Sequence, residues 1–129
     1  MAIDANTRTI TVPANFAKCA AVQSDQIAET VIFTIDRFYD YMDLMNAQVW
    51  VQWIAPNKDG SSREGATFIE LKDIDSLPGK IRFGWPLDAD ITAVPGKVQF
   101  AVRFFIKENI DGKEKVVYSL NTLPAVLTV

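Results

Sequence analysis

From Lys97 to Ile106 the chain reads Lys-Val-Gln-Phe-Ala-Val-Arg-Phe-Phe-Ile. Val98, Phe100, Val102, Phe104 and Ile106 fall on one side of a period-two pattern, and Lys97, Gln99, Ala101, Arg103 and Phe105 fall on the other. That is the side-chain period of a β-strand with one buried face; a helix would scatter the same residues round its circumference. The turn pair Pro95-Gly96 fixes where the strand begins, so this stretch is expected to be the central strand from which shorter neighbours take their register. Glu29–Asp36 buries Val31, Phe33 and Ile35 in the same way, Ala47–Ile54 buries Val49, Val51 and Trp53, and Lys80–Trp85 buries Ile81, Phe83 and Trp85. Thr7–Val12, Thr67–Leu71, Lys115–Leu120 and Ala125–Val129 are shorter strand segments of weaker alternation.

The connections carry turn chemistry. Asn57–Ser62 and the pair Asp111-Gly112 suit reversal between antiparallel strands, and Asp73–Gly79 is a further turn. Asp88–Val94 has room for one helical turn between the Lys80 strand and the central one. Asn15–Val22 is a run of small apolar residues compatible with a strand or a helical turn. Asp36–Met45 interleaves aromatics with acids, as a structured connection does. The predicted fold class is all-β, an immunoglobulin-like antiparallel β-sandwich of about seven to eight strands. The organisation expected is an N-terminal arm with the first strand at 1–15 and the sandwich at 16–129.

Composition narrows the picture. At 129 residues the chain fits one domain, and 49% hydrophobic against 22% charged residues is the balance of a globular protein. A net charge of −3 argues against a nucleic-acid partner, whose affinity comes mainly from clustered Lys and Arg. No apolar run approaches the roughly 20 residues that cross a bilayer, so no membrane partner is expected, and the first residues lack the pattern of a signal peptide. With Cys19 as the one cysteine, no intrachain disulfide forms.

The candidate chemistry is sparse. The chain contains no histidine, which removes the commonest hydrolytic triads. Cys19 beside Lys18 sits among alanines, an apolar setting that keeps a thiol inert. The carboxylates Asp73 and Asp75, Asp88 and Asp90, and Asp36, Asp40 and Asp43 fall in turns and connections, where Asp caps backbone, and none has calcium-loop spacing. The expectation is a protein that is not an enzyme, with no catalytic residues, cofactor or metal.

Apolar surface is what remains unexplained. Trp50, Ile32 and Phe105 occupy outward strand positions, and the Asp36–Met45 connection adds Phe38, Tyr39, Tyr41, Met42 and Met45. Such residues are enriched at interface cores, although loops of the same chain can cover them equally well. Arg8, Ile10 and Val12 form one stripe of the N-terminal arm, a pattern suited to strand addition along a neighbouring subunit. The candidate interface residues are therefore Arg8, Ile10, Val12, Phe38, Tyr39, Tyr41, Met42, Met45 and Trp50.

Ser24-Asp25 with Ala28–Val31, then Phe33–Arg37, Asp43-Leu44, Pro78–Trp85 and Val117–Ala125, taken in that order, resemble small immunoglobulin-like structural domains of tailed-bacteriophage virions. The similarity runs from about Asn6 to Val129 and rests on fold-supporting residues. It implies a virion location after assembly in the host cytoplasm. It further implies a capsid-associated decoration or auxiliary role, contact with the major capsid protein or another virion protein, and a homo-oligomer or multi-copy array. The chain ends at its last strand, where longer relatives continue, which suits a repeated surface component. A tail, baseplate or head-fibre attachment domain is the alternative the same resemblance allows. A third reading is a carbohydrate-binding host-adhesion module, in which Trp50, Tyr39 and Tyr41 stack on sugar rings and Asp40 and Asp43 accept hydroxyl hydrogen bonds.

Overall fold

The computed structural model describes residues 1–12, 29–39, 42–70, 72–74 and 79–128. One sheet contains β1 (Ala2–Asp4), β2 (Thr9–Thr11), β3 (Glu29–Asp36), β8 (Lys72–Ile74) and β9 (Lys80–Leu87), in the spatial order β2-β1-β3-β9-β8. The other contains β6 (Gln48–Pro56), β7 (Ser62–Ile69), β10 (Lys97–Ile110), β11 (Lys113–Asn121) and β12 (Ala125–Thr128). Its order is β11-β10-β6-β7, with β12 also on β10. Between β3 and β6 lie a short hairpin of β4 (Phe38–Tyr39) and β5 (Met42–Asp43) and a 3-10 turn, Leu44–Asn46. The chain crosses between layers after β7 and again through α1 (Ala89–Thr92), which Asp88 caps by accepting from the Ile91 N–H.

The two facing sheets form an all-β sandwich with no disulfide. Two details depart from the sequence reading. Twelve strands occur among the described residues rather than seven or eight, because β1, β4, β5 and β8 are too short to register as alternation. The pairing is also not wholly antiparallel: β1 runs parallel to β3, with Ile3 opposite Ile35.

Alternation decides what fills the space between the layers. Phe33 from β3 and Phe83 and Trp85 from β9 meet Phe100 and Phe104 from β10, all almost fully buried. Phe33 stacks on Phe83 at 5.3 Å within the first sheet. Across the layers, Trp85 lies 5.2 Å and Phe33 6.1 Å from Phe100, and Phe83 meets Phe104 edge-on at 5.8 Å. Offset and edge-to-face pairs of this kind contribute beyond their buried area. Val31, Ile35, Val49, Val51, Ile81, Val98 and Val102 complete the core.

The central strand keeps its predicted buried face, and Ile106 packs against the rim of the core. The strand is longer than expected: β10 extends to Ile110, and one of its edges serves two strands in tandem. Lys97–Phe100 pairs with β12 and Arg103–Ile110 with β11. Thr122 fills the gap between them. The Val102 N–H donates to Thr122 Oγ1 at 2.9 Å, and the Thr122 N–H donates to the Val102 carbonyl at 2.9 Å, so the buried strand keeps both backbone partners. Beyond a register shift at Ile106/Lys107, the β10–β11 hairpin projects with every residue from Lys107 to Val117 exposed. Asp111 and Gly112 both hold positive φ, 53° and 80°, the geometry of a two-residue hairpin turn that Asp-Gly supplies at little strain.

The described N-terminal residues, 1–12, pack onto the sandwich of their own chain. Ile3 and Ala5 belong to the core, and Met1, Ile10 and Val12 pack against it. The Met1 amino group donates to the Ile32 carbonyl, and the Thr34 N–H donates to the Met1 carbonyl at 3.0 Å. The Arg8 carbonyl accepts from the Leu123 N–H at 2.7 Å, tying the β1–β2 turn to the β11–β12 connection. Ile10 and Val12 of the Thr7–Val12 stripe are thus half-covered within the domain, and Arg8 is exposed. The expected element at Asn15–Val22, the turn residues Asp75–Pro78 and the Cys19 site lie outside the described residues.

Two substitutions test this account in a denaturant melt. Phe100→Ala removes the ring shared by both layers and is expected to lower stability by about 3–5 kcal/mol. Thr122→Val keeps the volume but strands the buried Val102 N–H, with an expected loss of about 1–3 kcal/mol.

Candidate interaction surface

The connection from β3 to β6 is organised by one ion pair. Arg37 donates from Nε and Nη2 to the two carboxylate oxygens of Asp43, at 3.0 and 2.9 Å, a two-pronged geometry that holds both planes fixed. Asp43 Oδ1 also accepts from the Met45 N–H at 3.0 Å and so caps the 3-10 turn. The hydrogen bonds to Asp43 raise the pKa of the Arg37 guanidinium above its ordinary value; burial opposes this and the Asp43 charge adds to it. The guanidinium lies 5.0 Å from the centroid of the Phe38 ring. Phe38, at 61% exposure, is the most exposed large hydrophobic of the described residues.

The expected interface residues divide among three places. Phe38, Tyr39, Met42 and Met45 occupy this connection, but only Phe38 is fully presented: Tyr39 and Met45 are half-buried against the core, and Met42 is half-buried. Tyr41 lies outside the described residues, as does Asp40. Arg8, Ile10 and Val12 belong to the first sheet's end, where Arg8 is exposed at a positive φ of 59° and the other two are half-buried. Trp50 is in the opposite layer, half-buried on the outward face of β6. Of the stacking residues proposed for a sugar site, Tyr39 and Trp50 are half-buried, and Asp43 is engaged by Arg37.

Trp50 has an unanticipated partner. Its ring lies 5.1 Å from that of Phe68, directly opposite on β7, while Arg103 stands opposite it on β10 and donates from Nε to Asn121 Oδ1 at 3.1 Å. The Trp50 indole nitrogen is buried and has no hydrogen-bond partner among the described residues. Phe105 is half-buried, with the Lys107 ammonium 5.4 Å from its ring centroid.

The exposed apolar residues concentrate instead on the second layer: Ile54, Phe68, Ile110, Val116, Val117 and Val126 are all at least 40% exposed. Val126 and Ile54 flank Gln99 on the outer face, and an open depression of about 550 Å³ runs beside them over Ala66, Ala101 and Gln52. Val116 and Val117 are on the projecting hairpin. The sequence signal for them was a pair of adjacent valines beside Lys113 and Lys115, where alternation breaks at the bulge.

Several described carboxylates engage the protein's own groups. Asp88 caps α1, the Lys80 ammonium lies 2.8 Å from Asp36, and Asp59 accepts from the Ser61 hydroxyl at 2.5 Å and amide at 2.9 Å, hydrogen bonds that lower its pKa. Among the described residues no group of three or more acids, cysteines or histidines could hold a metal ion, and no helix is long and apolar enough to cross a membrane. No protein-family model matches the chain, and no curated protein matches it.

If Asp43 organises the connection, Asp43→Ala releases the Met45 N–H. Amide exchange at Met45 is expected to quicken by about tenfold, the effect of losing a charge-assisted bond, while amides of Val98–Phe104 are unchanged.

Proposed function

We propose that this chain is a non-enzymatic structural protein of a tailed-phage virion, a capsid-associated decoration or auxiliary domain that binds the head surface through protein contacts. The observation that carries the reading is the apolar surface of the second layer and its hairpin. A two-stranded ribbon is marginal in water, yet this one extends past the sandwich carrying Ile110, Val116 and Val117 in the open. A partner surface that covers those residues gives the projection a purpose. The lysines and glutamates interleaved with them keep the free protein soluble. The order of strands supports the resemblance to virion immunoglobulin-like domains at the level of fold, and the function rests on the surface rather than on the fold.

A mass-spectrometric inventory of purified particles tests the proposal. The expected result is this protein in proportion to the major capsid protein. A few copies per particle place it in the tail, baseplate or a head fibre, and its absence from particles overturns the reading. Changing Val116 and Val117 together to Asp is expected to abolish occupancy on particles while leaving the circular dichroism spectrum unchanged.

A further inference from the structure

The sequence holds two Asp-Gly pairs, Asp59-Gly60 between β6 and β7 and Asp111-Gly112 at the tip of the β10–β11 ribbon. An aspartate before glycine can close on itself, because the next residue has no Cβ to obstruct attack by its backbone nitrogen on the side-chain carboxyl. The step needs that nitrogen and that carboxyl to be unengaged, room around the glycine, and a backbone free to rotate. Both pairs are exposed, and a Cβ on either glycine would meet nothing within 4 Å. Space therefore does not separate them; hydrogen bonding does.

At Asp59-Gly60 both reacting groups are held. The Gly60 N–H donates to the Asn57 carbonyl at 3.2 Å, and Asp59 Oδ1 accepts from the Ser61 hydroxyl and amide. The turn around them is closed as well. The Asn57 N–H donates to the Ser61 carbonyl at 2.8 Å, Asn57 Nδ2 donates to Ser61 Oγ at 3.0 Å, and Arg63 Nη1 donates to Asn57 Oδ1 at 3.1 Å. The Ser61 hydroxyl and amide also hold the Asp59 carboxyl below its ordinary pKa, which depletes the protonated form whose hydroxyl leaves as water. At Asp111-Gly112, among the described residues, no hydrogen bond engages the Asp111 carboxylate or the Gly112 N–H. The turn closes a ribbon exposed from Lys107 to Val117, and a two-stranded ribbon is marginal in water, so its tip opens without the rest of the domain.

We propose that Asp111 is a site of spontaneous isomerisation to isoaspartate, and that the network of Asn57 and Ser61 keeps Asp59 from the same reaction. The Gly112 nitrogen attacks Cγ of Asp111. The N–Cγ bond forms, the carboxyl C–OH bond breaks, and the amide proton leaves with the hydroxyl as water. Water then opens the resulting succinimide at the former backbone carbonyl of Asp111. The chain thereafter runs through Cγ and the original α-carboxyl is a free acid; one water is lost and one regained, with no oxidation or reduction. The isoaspartyl link adds one methylene to the backbone of a two-residue turn, so the pairing that begins at Ile110 and Lys113 loosens from the tip. The reaction follows from the geometry of the two turns alone and stands or falls separately from the virion reading.

The test is peptide mapping of the intact protein aged at neutral pH and physiological temperature, with fragmentation that tells isoaspartate from aspartate. Isoaspartate is expected to accumulate severalfold faster at Asp111 than at Asp59, and the difference is expected to vanish in denaturant, where neither turn is held. Ser61→Ala is expected to quicken the reaction at Asp59 severalfold and to leave Asp111 unchanged. Equal accumulation at both sites in the folded protein, a difference that denaturant leaves intact, or an Asp59 indifferent to Ser61→Ala overturns the proposal. Should Ser61→Ala fail to fold, the folded and denatured rates of the unsubstituted protein decide.

Discussion

The contact between Phe100 and the paired rings of Phe33 and Trp85 is the constraint on which the rest of the structure depends. Those three residues come from three strands and two layers, and their ring separations of 5.2–6.4 Å fix how far apart and in what register the sheets lie. With no disulfide across the layers, packing must do what a covalent bridge does in many immunoglobulin domains. The Trp85 indole nitrogen is buried there without a hydrogen-bond partner among the described residues. Burial of an unpaired N–H is unfavourable, so the ring's apolar area and its stacking must outweigh that penalty.

The strands that build this slab were legible in the chain because their signal is local. Glu29–Asp36 is a strand with the predicted boundaries, and Lys80–Trp85 and Lys97–Ile106 are strands that run further than their turn residues suggested. Pro86 does not end β9; it lies beyond the reach of β8, on an edge where proline is tolerated. What the chain did not disclose is non-local. The tripeptide Ala2–Asp4 is too short for any period, and nothing in it announces a parallel partner thirty-two residues away at Thr34 and Ile35. Ser62–Thr67 looks too polar for a strand, yet as an edge it needs only one buried neighbour. Its outward Phe68 is explained by Trp50 across the ladder rather than by its own surroundings.

The candidate surface was half legible for the same reason. A list of outward aromatics picked out Phe38 and Trp50, but exposure is decided by what folds over a residue. Tyr39, Met45, Ile10 and Val12 are partly covered by the core rim, and the residues left in the open are mostly aliphatic ones on the second layer. Aliphatic positions on edge strands and hairpins resemble ordinary alternation until the topology shows that no layer lies beneath them. The interface proposed on the ribbon beyond the sandwich follows from that shortage of cover.

Strand β10 is continuous in geometry, but its two ends answer to different fluctuations. From Val98 to Phe104 its amides lie between β6 and the β12–β11 pair, above the aromatic slab, and can exchange with solvent only when the domain opens as a whole. From Lys107 to Ile110 the same backbone has one ladder partner and no layer below it, so it opens by fraying from Asp111. A single strand therefore carries a gradient from global to local protection, with its inflection at the bulge after Ile106. A partner seated on the hairpin would be read out in solution as the disappearance of that gradient.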